Sequence, residues 1–443
     1  MTYHVVCLAG AEDDYSPSIN ENDQLLKVPF NIPGHPDSFQ TDIYDIFAEY
    51  GLTPSPASHD LLEAIIASYT ADVRTSRAKT FDGWTRDIAL HLAVGDPESW
   101  TKGAKNLEAA LSFLTGDHWR VLVRKKQAAY QPLQGRKPKE VVELDSETVC
   151  LFSGGMDSFI GAVDQLELNK KVVLVGHHSA GAAATSRSQN DSERALHKFY
   201  DKDVMPFLRV WLTTPKGESR ASEISTRGRS LLFIGLGVVI SEGMGANKLI
   251  VPENGLISLN VPLTNARLGS FSTRTTHPYF IKLIRDLLSN LDIPVSIELP
   301  YRFQTKGEMI RNSANQDIIQ QNADATISCS HPGASRYSGR KAQNIHCGYC
   351  YPCLIRRAAV YSTGEADPTD YVFTDLSEKF NKDRRADLRA VKLALNKFDR
   401  KAPRIVDVLT SGPLPASDDD LKQYLAVFTR GLDEVRTFLR QYE

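Results

Sequence analysis

Cys150-Leu151-Phe152-Ser153-Gly154-Gly155-Met156-Asp157-Ser158 is the stretch on which the reading of this chain turns. An apolar run enters Ser-Gly-Gly-x-Asp-Ser, and a helical pattern starts at once, over Ser158 to Leu168. Gly154 and Gly155 lack Cβ atoms, so the backbone can turn sharply and approach an anion closely. The helix that follows aims free N–H groups and its positive dipole end at the same place. The hydroxyls of Ser153 and Ser158 add donors. Asp157 is unusual beside an anion unless it meets a bound magnesium ion or orients the loop. A plain Gly-Gly turn between strand and helix is the structural alternative; the full hexapeptide behind a buried strand favours nucleotide phosphate. It is neither Gly-x-x-x-x-Gly-Lys-Ser/Thr nor Gly-x-Gly-x-x-Gly, which argues against a motor, a GTPase or a dinucleotide enzyme.

Around this loop, residues 146–362 alternate short apolar runs with helical patterns. Thr148 to Phe152 and Lys171 to Val175 read as buried parallel strands, and Ser192 to Tyr200 and Ser230 to Gly243 as further helices. That alternation predicts an α/β unit with a parallel sheet covered on both faces. Residues 1–143 read as a mixed α+β accessory domain. In it, Asp60 opens a helix carrying Leu61, Leu62, Ile65, Ile66, Tyr69 and Val73, and Ile88 to Val94 and Trp119 to Val123 have strand spacing. Ala128 to Lys139, with Pro132, Gly135 and Pro138, reads as a linker. Residues 365–443 form a helical tail. Arg384 to Phe398 is one amphipathic pattern; Ser417, followed by Asp418, Asp419 and Asp420, caps another that runs from Leu421 to Leu439. Its apolar stripe is expected to pack on this same chain rather than dimerise, with a homo-oligomer left as the alternative.

Of the 443 residues, 42% are hydrophobic and 24% charged, and the formal net charge is -2. These are globular values with no sign of a nucleic-acid-binding surface. The basic runs Arg124–Lys126 and Arg136–Lys139 bracket the linker and read as solvated. Leu231 to Ile240, the longest apolar stretch, is about half of a membrane span and reads as a buried helix. The N-terminus has no signal-peptide pattern, so a cytoplasmic, membrane-free protein is expected.

Four of the six cysteines form Cys329-x17-Cys347-x2-Cys350-x2-Cys353. In a reducing compartment such clusters hold metal, and four thiolates suit a closed structural zinc site. An iron–sulfur cluster, replacement of one thiol by His331 or His346, and a redox dithiol are the alternatives. Cys7 and Cys150 read as ordinary buried residues.

Ser153 to Ser158 resembles the signature of the PP-loop ATPases, whose fold is a Rossmannoid parallel sheet of the adenine-nucleotide hydrolase type. Together with Cys347-Gly348-Tyr349-Cys350-Tyr351-Pro352-Cys353-Leu354-Ile355-Arg356-Arg357, it resembles the 7-cyano-7-deazaguanine synthase (QueC-like) family over about half the chain. The resemblance implies that ATP is cleaved between its α and β phosphates with Mg2+ present. It implies that Ser153, Gly154, Gly155, Asp157 and Ser158 hold the nucleotide, and that Arg229 (or Arg227) and Lys306 stabilise negative charge. Glu253 and Asn254 would meet the substrate base. Two segments depart from the family: Thr275-Thr276-His277-Pro278 stands for Asp-Cys-Arg-Pro at the substrate, and His177-His178-Ser179 stands for Asp-Tyr-Gly. With its added N-terminal block and tail, the chain looks most like the extended QueC-like proteins of bacterial antiphage defence islands (QatC type). That likeness implies a ligase that activates 7-carboxy-7-deazaguanine as an acyl-adenylate and passes it to an amine of a partner protein. A housekeeping nitrile synthase using ammonia and a non-catalytic nucleotide-binding scaffold are the competing expectations.

Overall fold

The computed structural model describes residues 1–32, 34–179, 183–214, 223, 227–263, 274–331, 345–377, 386–415 and 417–442. Arg384, the expected start of the tail's first helical pattern, lies outside them.

The chain begins with strands β1 (Thr2–Ala9) and β2 (Gln24–Phe30), a two-residue strand β3 (Gln40–Thr41), and helices α1 (Ile43–Glu49) and α2 (Pro56–Arg74). Strand β4 (Asp87–Val94), helix α3 (Pro97–Thr115) and strand β5 (His118–Lys125) follow. The apolar pattern starts α2 at Asp60. The helix begins a turn earlier because Pro56 is preset for a first turn and the Ser55 hydroxyl accepts the Ser58 N–H at 3.2 Å. Strands β2-β1-β4-β5 make a four-stranded sheet, parallel in every pairing.

The second sheet holds β6 (Thr148–Leu151), β7 (Val173–His178), β8 (Phe207–Thr213), β9 (Lys248–Ile250) and β10 (Ser296–Glu298). Its order is β10-β9-β6-β7-β8-β3; all pairings are parallel except the last, where β3 lies antiparallel on the edge of β8. Between these strands run α4 (Met156–Asn169), α5 (Ala183–Leu196), α6 (Arg229–Gly243), α7 (Gly255–Leu259) and α8 (Pro278–Asn290). The α5 boundary corrects the expected Ser192 to Tyr200. The earlier turns of α5 bury Ser188, Gln189 and Ser192, and apolar burial starts only at Ala195 and Leu196, so no stripe reveals where the helix begins. Beyond β10 come α9 (Lys306–Asn312), α10 (Gln316–Gln321) and α11 (Tyr351–Tyr361), then the tail helices α12 (Ala386–Arg400), α13 (Ile405–Leu409) and α14 (Asp418–Leu439).

Helix α6 is apolar all round, so it has to be covered all round. One side meets α2, where a Cβ on Gly235 would lie 2.5 Å from Ile65 Cδ1. The opposite side meets the second sheet, where a Cβ on Gly237 would lie 2.7 Å from Leu151. Helix α3 closes on α8 in the same way: a Cβ on Gly103 would touch Leu287 and Leu291 at 3.2 Å. Residues of both sheets therefore share one continuous core. In the tail, Val427, Phe428, Leu432 and Val435 of α14 pack with Leu256 of α7 and Leu354 and Ile355 of α11, which places its apolar stripe inside this chain. Among the described residues no helix is long and apolar enough to cross a membrane.

One buried polar knot fixes the junction of the two sheets. Arg86 is fully buried and reaches Asp72 Oδ1 and Asp117 Oδ2, each at 2.6 Å, while Arg77 reaches Asp117 at 2.8 Å. The second oxygen of Asp72 accepts the Gly228 N–H at 2.7 Å, at the entrance to α6. Asp72→Ala should leave part of a buried guanidinium uncompensated and cost about 3–5 kcal/mol. A urea-unfolding series on the wild type and this variant measures it, and a loss under about 1 kcal/mol would contradict the assignment.

Candidate functional site

The Phe152 N–H still bonds the Val175 carbonyl at 2.7 Å, so the chain is held in the sheet until the end of β6 and must turn at once. Gly154 makes the turn with φ +80°, a conformation that a side chain would strain. A Cβ there would also lie 2.7 Å from Ser188 Oγ and 2.8 Å from the Gln189 amide nitrogen. The Gly154 carbonyl accepts the Ser188 hydroxyl and, at 2.9 Å, the Ile327 N–H, which clamps the loop from α5 and from the segment before the cysteines. Ser188 and Ile327 escape a sequence reading because neither belongs to a motif.

Ser158 Oγ donates to the Gly155 carbonyl at 2.8 Å and accepts the Ser153 N–H at 3.2 Å; the Ser153 and Ser158 hydroxyl oxygens lie 3.2 Å apart. Ser153 Oγ in turn takes the Gly155 N–H at 3.3 Å. Gly155 is the N-cap of α4 and supplies no side-chain cap, so the amides of the first turn keep their donor capacity. Ser153 is exposed. The arrangement fits a phosphate: a glycine cradle, an uncapped helix start and the exposed Ser153 hydroxyl, with the buried Ser158 hydroxyl holding the loop from within.

Asp157 points the other way, into the protein. Its carboxylate ion-pairs with Lys306, the first residue of α9, and accepts the Asn254 side-chain N–H at 2.7 Å and its backbone N–H at 3.2 Å. Asn254 is the N-cap of α7, its Oδ1 accepting the Ile257 N–H at 3.0 Å. Three helix starts, those of α4, α7 and α9, thus converge on one buried pair. Burial alone would raise the Asp157 pKa, but the Lys306 ammonium, a hydrogen bond from Glu253 and the Asn254 side-chain donor outweigh it and hold it below the usual carboxylate range. Lys306 is set by a capping box on Thr305, whose hydroxyl also donates to Glu434 of α14 at 2.6 Å. The tail therefore reaches the site, a connection that no sequence pattern announces. Gly255 lets the Asn254 turn close on the Arg302 carbonyl, where a Cβ would collide with backbone.

Arg229 opens α6, half-buried, with its guanidinium donating to the His177 carbonyl at 3.3 Å; desolvation pushes its pKa down. Arg227 turns toward the first block instead, donating to the Thr115 carbonyl at 2.8 Å and lying over the Trp84 ring. His277 stands apart from the Asp157 cluster. Its Nδ1 accepts the Tyr279 N–H at 3.2 Å as the N-cap of α8, which leaves the proton on Nε2 to meet Ser411 Oγ at 3.0 Å. The ring is fully buried against Phe113.

The sulfur atoms of Cys329, Cys347, Cys350 and Cys353 all lie within 4.8 Å of one another. Cys347 and Cys353 are separated by 3.9 Å, and Cys350 and Cys329 by 4.0 Å. A tetrahedral zinc with bonds of about 2.3 Å sets its sulfurs about 3.8 Å apart, so the four fit one ion. Backbone N–H groups of Cys347 and Cys350 point at Cys329 and Cys347 sulfurs at 3.3 Å, the usual support for thiolate ligands. Gly348, at φ +90°, makes the turn and lets the Phe373 carbonyl pass where a Cβ would sit. His346 is engaged elsewhere, accepting the Ser328 N–H at 3.0 Å, while the His331 ring stacks on Tyr349 and hydrogen-bonds the Cys347 and Cys350 sulfurs.

Cys350→Ser should lower the zinc content from about one per chain toward zero and lower the melting temperature by several degrees. Metal analysis of the purified variant and a thermal scan check both. For His277, burial and Arg274 depress the pKa to about 3 from an ordinary 6.5. The unfolded chain takes up a proton near 6.5 and the folded one only near 3. The neutral ring's stabilisation is therefore complete above about 6.5 and is lost as pH falls toward 3. His277→Asn keeps a cap without the titration, so its melting temperature should fall less steeply between about pH 6.5 and 3 than that of the wild type.

No family model matches the chain. About half of it is similar to curated proteins named 7-cyano-7-deazaguanine synthase. The protein of that name from Methanothrix thermoacetophila is 24% identical over 244 residues, 50% of this chain and 97% of the relative. The one from Methanothermobacter thermautotrophicus is 24% identical over 241 residues, covering 50% and 98%. The 7-cyano-7-deazaguanine synthase 1 of Sphingopyxis alaskensis is 23% identical over 241 residues, covering 50% and 97%. This chain thus spans almost the whole of each relative and carries as much again outside the match.

Proposed function

We propose that the protein is an ATP-dependent enzyme that adenylates the carboxylate of a 7-deazaguanine-type acid, such as 7-carboxy-7-deazaguanine. The carrying observation is the cradle of Ser153, Gly154, Gly155 and Ser158 at the end of β6, open to solvent on its phosphate side and locked from behind. In this reading, the first-turn amides of α4 and the Ser153 hydroxyl bind the leaving pyrophosphate and stabilise charge as it develops, and Ser158 holds the loop in shape for it. Arg229, at the carboxyl end of the sheet, faces the nucleotide. Asp157 and Lys306 act on the loop, by fixing where α4 starts, and magnesium is carried on the phosphates. The names of the relatives support the deazaguanine substrate class.

An amine then displaces AMP from the acyl-adenylate and forms an amide. We assign that amine to a partner protein, as in the defence-island group that the additions resemble. Leu25 and Leu122, on the two outer strands of the first sheet, are 39% and 45% exposed beside Lys27 and Arg120 and would be available to such a partner. A second reading, nitrile formation from ammonia, has the support of the 7-cyano product in the relatives' names.

Incubation with ATP, 7-carboxy-7-deazaguanine and either ammonia or a candidate partner separates these readings by product mass. AMP with a protein adduct supports the ligase, AMP with a nitrile the synthase, and no AMP the non-catalytic scaffold. Gly154→Ala should lower AMP release at least about 100-fold, since strain and the clash with α5 displace the cradle. Unchanged turnover in that variant would remove the loop from the mechanism.

A further inference from the structure

We propose that Glu253 is a positioning residue that stays protonated and donates a hydrogen bond to Asp157, completing the lock behind the phosphate loop. Its consequence for turnover rests on the adenylation reading above; the position of the proton does not. Two carboxyl groups, Asp157 and Glu253, flank the Asn254 side-chain amide, whose nitrogen lies 2.7 Å from Asp157 Oδ2 and 3.4 Å from Glu253 Oε1. One ammonium serves them both: Lys306, on the other oxygen of Asp157. Asp157 on α4 and Lys306 on α9 are the charged groups that face Glu253.

Were both carboxyls ionised, the half-buried Glu253 would place a second negative charge without a counter-charge beside the buried Asp157, and like charges that share a site do not both ionise. Asp157 holds the ammonium and two N–H donors, so Asp157 is the ionised member. Burial and the Asp157 charge both push the Glu253 pKa well above the usual carboxylate range. A neutral Glu253 has a proton to give, and Asp157 is the acceptor beside it. This differs in kind from an ionised Glu253 that would accept from a purine edge: the carboxyl acts as a donor and acts inward.

Infrared difference spectroscopy of the wild type against Glu253→Gln at neutral pH reads the proton without any turnover. A protonated-carboxyl band, shifted in heavy water and missing in Glu253→Gln, is the expected result. Absence of that band overturns the proposal, and so does a band that survives in Glu253→Gln but vanishes in Asp157→Asn, which would put the proton on Asp157. The activity arm uses rescue. Glu253→Gln can still donate from its amide and should form AMP within about twofold of wild type, while Glu253→Ala should lose about tenfold or more. Wild-type AMP formation should decline as pH rises and Glu253 loses its proton, and Glu253→Gln should abolish that decline. A Gln variant as impaired as Ala overturns the donor role. Absence of AMP from the wild type would remove the adenylation reading while leaving the infrared result to stand or fall alone.

Discussion

A helix with no polar face cannot rest on a protein surface, and α6 is such a helix. Ile234, Leu236, Val238, Val239 and Ile240 are all buried, and the two glycines among them let neighbours close in from opposite sides. From below it is covered by the second sheet. From above it is covered by α2, whose own burial extends over nearly its whole circumference, including Asp60, Glu63 and Asp72. The cost of burying those acids is met by ion pairs that the first block carries with it, Lys126 with Asp60 and Glu63, and Arg86 with Asp72. The first block, through the end of β5, is therefore part of the core that supports the nucleotide loop. Where the strand-and-helix pattern shows two blocks, the packing shows one.

The same logic of burial organises the candidate site. Its charges are placed behind the loop. Asp157 and Lys306 neutralise each other at the meeting of three helix starts, each of which has N–H groups and a positive dipole end that favour a carboxylate there. A buried pair of this kind contributes little net stability by itself, because desolvation consumes most of the attraction. What it contributes is registration: α4 cannot shift along its axis without dragging α7 and α9. Through Thr305 and Glu434 the tail helix α14 joins the same constraint. The loop's exposed rim is left polar and uncharged, suited to an anion that brings its own magnesium.

Much of this is legible in the order of the residues. The glycine turn after β6, the four thiols, the apolar α6 and the Ser417 cap each depend on short-range chemistry that a sequence displays directly. What stays hidden is of two kinds. Helix α5 escapes its expected bounds because the buried residues of its earlier turns are Ser188, Gln189 and Ser192, polar residues packed against the loop, and its apolar burial begins only at Ala195 and Leu196. The partners of Asp157 are hidden because Asn254 and Lys306 lie far away in the chain, and the motif says only that an acid is present, with no hint that it turns inward. His277 shows the same limit: the resemblance puts it beside a substrate, whereas its ring nitrogens are engaged in capping α8 and meeting Ser411.

The two residues of β3 have an effect out of proportion to their length. Strand β8 is the last parallel strand of its sheet, and Gln40 and Thr41 occupy the end of its outer edge, at Leu212 and Thr213, which it would otherwise offer to a passing extended segment. Asp42 reinforces the cover by accepting the Trp211 N–H at 2.7 Å. A shorter chain that retained the nucleotide unit and dispensed with the first block would be left with a sticky margin as well as a bare apolar helix. In this chain the first block supplies both covers.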